Sequence, residues 1–274
     1  MATGVLRSFG VGASVARGAL TWIRRDRSSA ALLERTNFHG RSVSLAGGPA
    51  LALGATAGAV TGAPNARTAA AAVTAGVVSG AVGLYDDIVG NHPSQKAFKG
   101  FAGHLGALRE GRVTSGLVKI AGVGVAGLVA SALVGSRRSS VAGRTTDVLL
   151  GAGVIAGMAN FVNLLDLRPG RAIKAGMAIG TPIGGGVAAG TLGAGAALLP
   201  DDLGEEIMLG DAGANAMGAL LGVALTARTG TAGRFAALAA LAALTAASEK
   251  VSYTKVIQDT PWLRRLDELG RRPA

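Results

Sequence analysis

The chain has 274 residues, 49% of them hydrophobic and only 16% charged, with a mean hydropathy of +0.43. A water-soluble domain carries about 25% charged residues, so composition argues against one, and the absence of cysteine excludes disulfides and thiolate metal sites. The net charge of +11 raises nucleic acid as a partner, but the basic residues cluster in short loops between apolar runs, as membrane topology requires, and no nucleic-acid partner is expected.

A membrane span needs about 20 mostly apolar residues. In chain order, the runs that approach this are 4–23, 45–63, 68–85, 115–134, 146–165, 172–185, 186–199, 212–227 and 235–247. The expected fold is therefore all-α: a polytopic integral membrane protein of about nine transmembrane helices. The 44 glycines suit helices that pack closely within lipid. The first run carries Arg7 and Arg17, which must snorkel or face protein, and it reads as a retained anchor rather than a cleaved signal peptide. The Thr181-Pro182 step is expected to kink or divide the region 172–199. Residues 1–249 read as a single transmembrane domain. Residues 250–274 read as a cytosolic amphipathic tail, with Val251, Val256 and Ile257 at helical spacing and Trp262 suited to the headgroup level; a solvated terminal helix is the alternative.

Alternate loops differ in charge. One set holds 18 Lys and Arg, whereas the other holds Arg67, Arg137, Arg138, Arg144, Arg228 and Arg234. This asymmetry places the first set in the cytosol and the N-terminus outside.

Three polar clusters fall on that cytosolic side. Asp86 and Asp87 end the 68–85 run in "GLYDDIVGNHPSQKAFKG", with Lys96 and Lys99 following. Paired carboxylates can bind a divalent cation, or one can act as a base; a solvated pair at a helix end is the plainer alternative. In "NFVNLLDLRPGRAIK", Asn160, Asn163 and Asp166 share one helix face, and Arg168, Arg171 and Lys174 follow. This arrangement suits a cradle for a metal-bound diphosphate, although asparagines also make interhelical hydrogen bonds. In "IMLGDAGANAMGALLG", Asp211 opens a helix, where the dipole favours an acid and flanking glycines allow close approach to a metal-phosphate.

Other motifs carry less. "GVGVAG" and "GAGVIAG" lie inside apolar runs and read as close-packing surfaces rather than dinucleotide loops. His39, His92 and His104 lack metal-ligand spacing.

The ordered set DD, NxxNLxD, GDxG resembles the polyprenyl-phosphate N-acetylhexosamine-1-phosphate transferases, the family that includes phospho-N-acetylmuramoyl-pentapeptide transferase. The similarity runs from residue 37 to about 225, and "NFHGRSVSLAGGPAL" resembles the family's first cytosolic loop. The resemblance implies an enzyme of the plasma (inner) membrane. It would move a sugar-1-phosphate from a UDP-sugar to a polyprenyl phosphate in cell-envelope glycan synthesis, with Mg2+ (Mn2+ as the substitute). It further implies Asp86, Asp87 and Asp166 as catalytic residues and Asp211 with Asp87 at the metal. Asn160, Asn163, Lys96, Lys99, Arg168, Arg171 and Lys174 would contact substrate, and a homodimer is a further expectation. The sequence departs from the family pattern where NxxNLxD continues GxDG. Pro169 replaces the second aspartate, which helps to recognise uracil, and Met208 replaces the aromatic residue that often precedes GD.

Two other readings remain. A catalytically inactive relative would bind lipid phosphate or an envelope-assembly partner. A transporter would place its acids near mid-span, whereas these lie at span ends.

Overall fold

Alanine- and glycine-rich segments have little side chain to keep helices apart, so their axes can approach until backbones touch. The computed structural model, which describes residues 2–37, 39–90, 92 and 106–272, is built on this principle. The chain forms α1 (Ala2–Arg25), α2 (Arg27–Leu32), a two-stranded antiparallel ribbon of β1 (Glu34–Thr36) and β2 (Ser42–Ser44), α3 (Gly47–Thr61), α4 (Ala66–Val89), α5 (Ser115–Val134) and α6 (Val141–Leu165). It continues through α7 (Arg171–Ile183), α8 (Gly185–Leu203), α9 (Gly210–Arg228), α10 (Thr231–Ser248), α11 (Tyr253–Asp259) and α12 (Pro261–Glu268).

Each of the nine apolar runs thus contains a helix. The expected division of 172–199 falls at Gly184, where φ is +64° and α7 gives way to α8; Pro182 lies in the last turn before the break. Four helices, α4, α5, α6 and α10, are long and apolar enough to cross a membrane. Apolar side chains on α5 and α10, among them Val125, Leu128 and Phe235, are exposed, as a lipid-facing surface requires.

Helix α9 is the centre of the bundle. It packs against α3, α4, α6, α7 and α8 and is buried almost continuously from Gly210 to Thr226. On one side, α1, α3 and α8 pack mutually. Ser8, Gly12, Ala16 and Leu20 of α1 recur every four residues and are buried, forming one face toward these neighbours. Arg17 finds the protein partner its position demanded: its guanidinium lies 2.5 Å from Asp201 of α8. On the other side, α5 and α6 pack on α4 and α9, and α10 covers α6.

Helices α3 and α8 meet backbone to backbone at Gly58 and Gly190. A Cβ added at Gly58 would stand 2.7 Å from the Gly190 Cα and 2.9 Å from the Gly12 Cα of α1. Backbone atoms cannot rotate away, so Gly58→Val is expected to cost about 1–3 kcal/mol by overpacking. The check is a lower melting temperature of the purified, detergent-solubilised protein. The same substitution at Gly124, where nothing lies within 4 Å of an added Cβ, should leave melting unchanged.

Candidate active site

The first amides of a helix have no partner within it and carry partial positive charge. At the start of α9 they are taken by carboxylates from two other helices. Asp87, near the C-terminal end of α4, accepts the backbone N–H of Asp211 at 2.9 Å on one oxygen and that of Ala212 at 3.0 Å on the other. Asp166, the C-cap of α6, accepts a backbone hydrogen bond from Gly210. Gly210 has φ +58°, and a Cβ there would stand 2.8 Å from both Asp87 carboxylate oxygens. Its glycine is therefore required twice, for backbone conformation and for space.

Beside this cap, two carboxylates share one cation. The Lys119 ammonium of α5 lies 2.7 Å from Asp86 and 2.5 Å from Asp211. The Ser115 side chain also hydrogen-bonds Asp86. Three segments far apart in sequence, Asp86-Asp87, Asp166 and Asp211, thus meet at one end of the bundle. Burial holds the Asp166 carboxyl well above the usual carboxylate range, and the negative charges of Asp202, Asp87 and Asp211 push it the same way.

A cavity of about 240 Å³ adjoins Asp166, lined in part by Asn37, Arg168, Pro169, Asp202, Glu205 and Met208. Asp202 of α8, almost fully buried, accepts the Gly170 amide at 2.9 Å and fixes the turn after Asp166. Glu205 is the sole non-glycine residue with positive φ among the described residues, at 54°. Its buried carboxylate accepts from Asn37 at 2.5 Å, lies 3.0 Å from the His39 ring and 3.3 Å from Arg41. Burial works against its charge, yet these hydrogen bonds and the His39 and Arg41 charges hold it below the ordinary glutamate range. The 34–44 ribbon is thereby tied to the loop before α9, a join extended by the Met208 N–H donating to the Ser44 carbonyl at 2.9 Å. His39 thus has a structural role, bracing Glu205 in the wall of this cavity.

Several expected substrate contacts have other partners. Arg171 is buried and forms a two-pronged pair with Asp267 of α12, at 2.7 and 2.8 Å, and also reaches Thr254 at 2.9 Å. Lys174 donates to the carbonyls of Leu266, Asp267 and Leu269. Both residues anchor the tail onto the start of α7, so they do not line a diphosphate cradle here. Asn160 donates to Thr245 of α10 at 3.1 Å, the interhelical role that was the alternative for it. Asp87, expected at the metal, has both oxygens engaged by α9 amides. Arg168 remains at the cavity, while Asn163 is half-buried one turn before Asp166. Lys96 and Lys99 lie outside the described residues.

Sequence reasoning missed Lys119, Asp202 and Glu205. Lys119 carried a signal, being the sole ionisable residue in the 115–134 run, where a charge costs free energy unless paired. Asp202 and Glu205 carried none, because "PDDLGEE" reads as an ordinary acidic loop.

Among the described residues, no three His, Asp or Glu side chains form a metal-ligand group. The site gathers carboxylates and one ammonium beside a cavity, an arrangement able to hold a cation against phosphate oxygens. No protein-family model matches the chain, and comparison with curated proteins finds no match.

Two outcomes follow. Asp87→Ala frees two amides at the start of α9 and should cost about 1–2 kcal/mol, as loss of a helix cap does. Asp87→Asn, retaining one acceptor, should lose less, and thermal melting of the solubilised variants makes the comparison. For the tail, burial opposes the Asp267 charge, but its bonds to Arg171 and the Arg271 charge prevail and hold its carboxyl below the usual range. With the folded pKa below the unfolded one, docking is fully stabilised above about pH 4 and weakens as pH falls through the depressed value. Arg171→Gln should weaken docking by about 3 kcal/mol at neutral pH, read as faster proteolysis within residues 250–274.

Proposed function

We propose that this chain is a membrane-embedded phosphoglycosyl transferase, a divergent relative of the polyprenyl-phosphate N-acetylhexosamine-1-phosphate transferases. In this reading nine helices cross the plasma membrane, the N-terminus lies outside and the carboxylate cluster faces the cytosol. The observation that carries it is the meeting of Asp86-Asp87, Asp166 and Asp211 at the start of α9, with Lys119 between Asp86 and Asp211.

The reaction joins a phosphate nucleophile to a diphosphate electrophile. A lipid phosphate oxygen bonds to the sugar-bearing phosphorus of the donor. The phosphoanhydride bond to the nucleoside monophosphate breaks, and that group leaves with the electron pair. Several negative charges must approach one another, and the ammonium of Lys119 reduces their repulsion. An apolar groove between α4 and α5, lined by Val78, Val82, Val118, Ala121, Gly122 and Val125, has a volume of about 470 Å³. It begins one turn from Asp86 and flanks Lys119, so an isoprenoid chain seated in it would deliver its phosphate to both residues. The donor has the cavity beside Asp166 and Arg168. Pro169 and Met208, the two departures from the family pattern, both line that cavity, so the altered recognition concerns the donor.

Mg2+ binds through one or two carboxylates, with phosphate oxygens and water completing its shell. Asp86 and Asp211 fit that demand, since their carboxylates already converge on a cation, with Lys119 moving to the phosphates. The ion would neutralise diphosphate charge and stabilise the leaving group. Asp87 keeps Asp211 in place by capping α9.

A second reading, a non-catalytic relative that binds lipid phosphate, draws on the Lys119 ammonium standing between the two carboxylates. The test is incubation of purified protein with Mg2+, polyprenyl phosphate and a panel of radiolabelled nucleotide sugars. A lipid-linked product should form and fall at least about 100-fold in Asp211→Asn, the scale of losing one charge-stabilising group. No product from any donor, with polyprenyl phosphate still bound, supports the second reading; loss of both activity and binding defeats each.

A further inference from the structure

At the opposite end of the bundle, four arginines from separate parts of the chain line one cavity of about 370 Å³. Arg67 stands at the start of α4, Arg137 and Arg144 flank the start of α6, and Arg234 lies in the first turn of α10. All four belong to the loop set that is otherwise poor in cations, so their convergence needs a physical reason.

Part of that reason is structural. Arg67 donates to the Leu133 carbonyl at the end of α5, at 3.1 Å. Arg234, 4% exposed, donates to the carbonyls of Asp147, Gly135 and Thr226 at 2.9, 3.1 and 3.0 Å. The bonds to Leu133, Gly135 and Thr226 satisfy helix C-termini, but a bond to a carbonyl neutralises no charge. Asp147 is the acid near the arginines, and its two oxygens are already engaged by the hydroxyls of Ser136 and Thr231, each at 2.5 Å. Among the described residues, no carboxylate lies within ion-pair distance of Arg67, Arg137 or Arg144. The Arg234 Nε is buried with no acceptor among the described residues, a cost of about 1–3 kcal/mol unless something supplies one.

Four guanidinium groups facing a single carboxylate leave an excess of positive charge around a cavity large enough for a small anionic ligand. Guanidinium forks match phosphate oxygens in pairs. We propose that this cavity is a binding site for a phosphate group, carried either by an anionic lipid headgroup or by a free phosphate. It stands at the far end of the bundle from the carboxylate cluster and does not depend on any transfer activity there.

The test uses the full-length chain and two probes. Inorganic phosphate is titrated against detergent-solubilised protein, and phosphatidic acid is titrated against protein in phosphatidylcholine nanodiscs. The double variant Arg137→Gln/Arg144→Gln alters two exposed side chains that make no helix-capping bonds to α5 or α9. It should bind at least about tenfold more weakly, a change equivalent to about 1.4 kcal/mol. A loss seen with inorganic phosphate assigns the site to a free anion, and a loss seen only with phosphatidic acid assigns it to a headgroup; either supports the site. Equal affinity of wild type and variant for both probes, or no binding of either probe to wild type, overturns it. Arg144→Gln alone supplies the same comparison should the double variant not be recovered folded.

Discussion

Three consecutive amides at the head of a buried helix, Gly210, Asp211 and Ala212, hold the arrangement of this protein together. They cannot be left unpaired away from water, and the side chains that satisfy them come from α4 and from the end of α6. The cap therefore joins helices as well as ending one. It ties the C-terminal ends of α4 and α6 to the N-terminal end of α9 and brings Asp86 and Asp211 together at Lys119. A carboxylate is well suited to the task because the helix dipole favours negative charge at that point. The same requirement explains why the residue before Asp211 is glycine: any side chain there would strike the Asp87 oxygens.

Close packing makes the cap possible. Helix α9 is surrounded because its neighbours approach over glycine and alanine, and its own glycines receive the backbone of α6 at Gly218 and Gly222. A bulkier bundle would hold the ends of α4 and α6 too far from α9 for one helix start to receive both carboxylates. The polar segments outside the bundle serve a related purpose. Glu205 fastens the ribbon to the loop before α9, and Arg171 fastens the tail to the start of α7. Both are buried or nearly buried charges with several partners, the condition under which burial of an ion is tolerated.

Each end of the bundle holds a cluster of charged side chains, and the two clusters differ in majority sign. Acids gather around Lys119 in one cluster, and arginines gather around Asp147 in the other. In each case one residue of the minority sign is deeply engaged, Lys119 with two carboxylates and Asp147 with two hydroxyls. Such engagement sets the position of the surrounding charges. It leaves each cluster with an excess of one sign to present to a ligand.

Sequence alone determined the positions of the helices, because apolar runs, glycine content and the Thr181-Pro182 step are local properties that a helix expresses wherever it lies. It also marked Asp86, Asp87, Asp166 and Asp211, since acids at the ends of apolar runs are costly and therefore conspicuous. Tertiary structure decided which partner each polar group takes. Arg171 and Lys174 look like phosphate ligands beside Asp166, yet the returning tail claims them from more than ninety residues away. Lys119 looks like an isolated charge in an apolar helix until α4 and α9 present it with carboxylates. The four arginines of the far cavity are scattered along the chain and meet only when α4, α5, α6 and α10 are packed. Helix formation follows from neighbours along the chain, whereas the pairing of charges depends on distances that only packing sets.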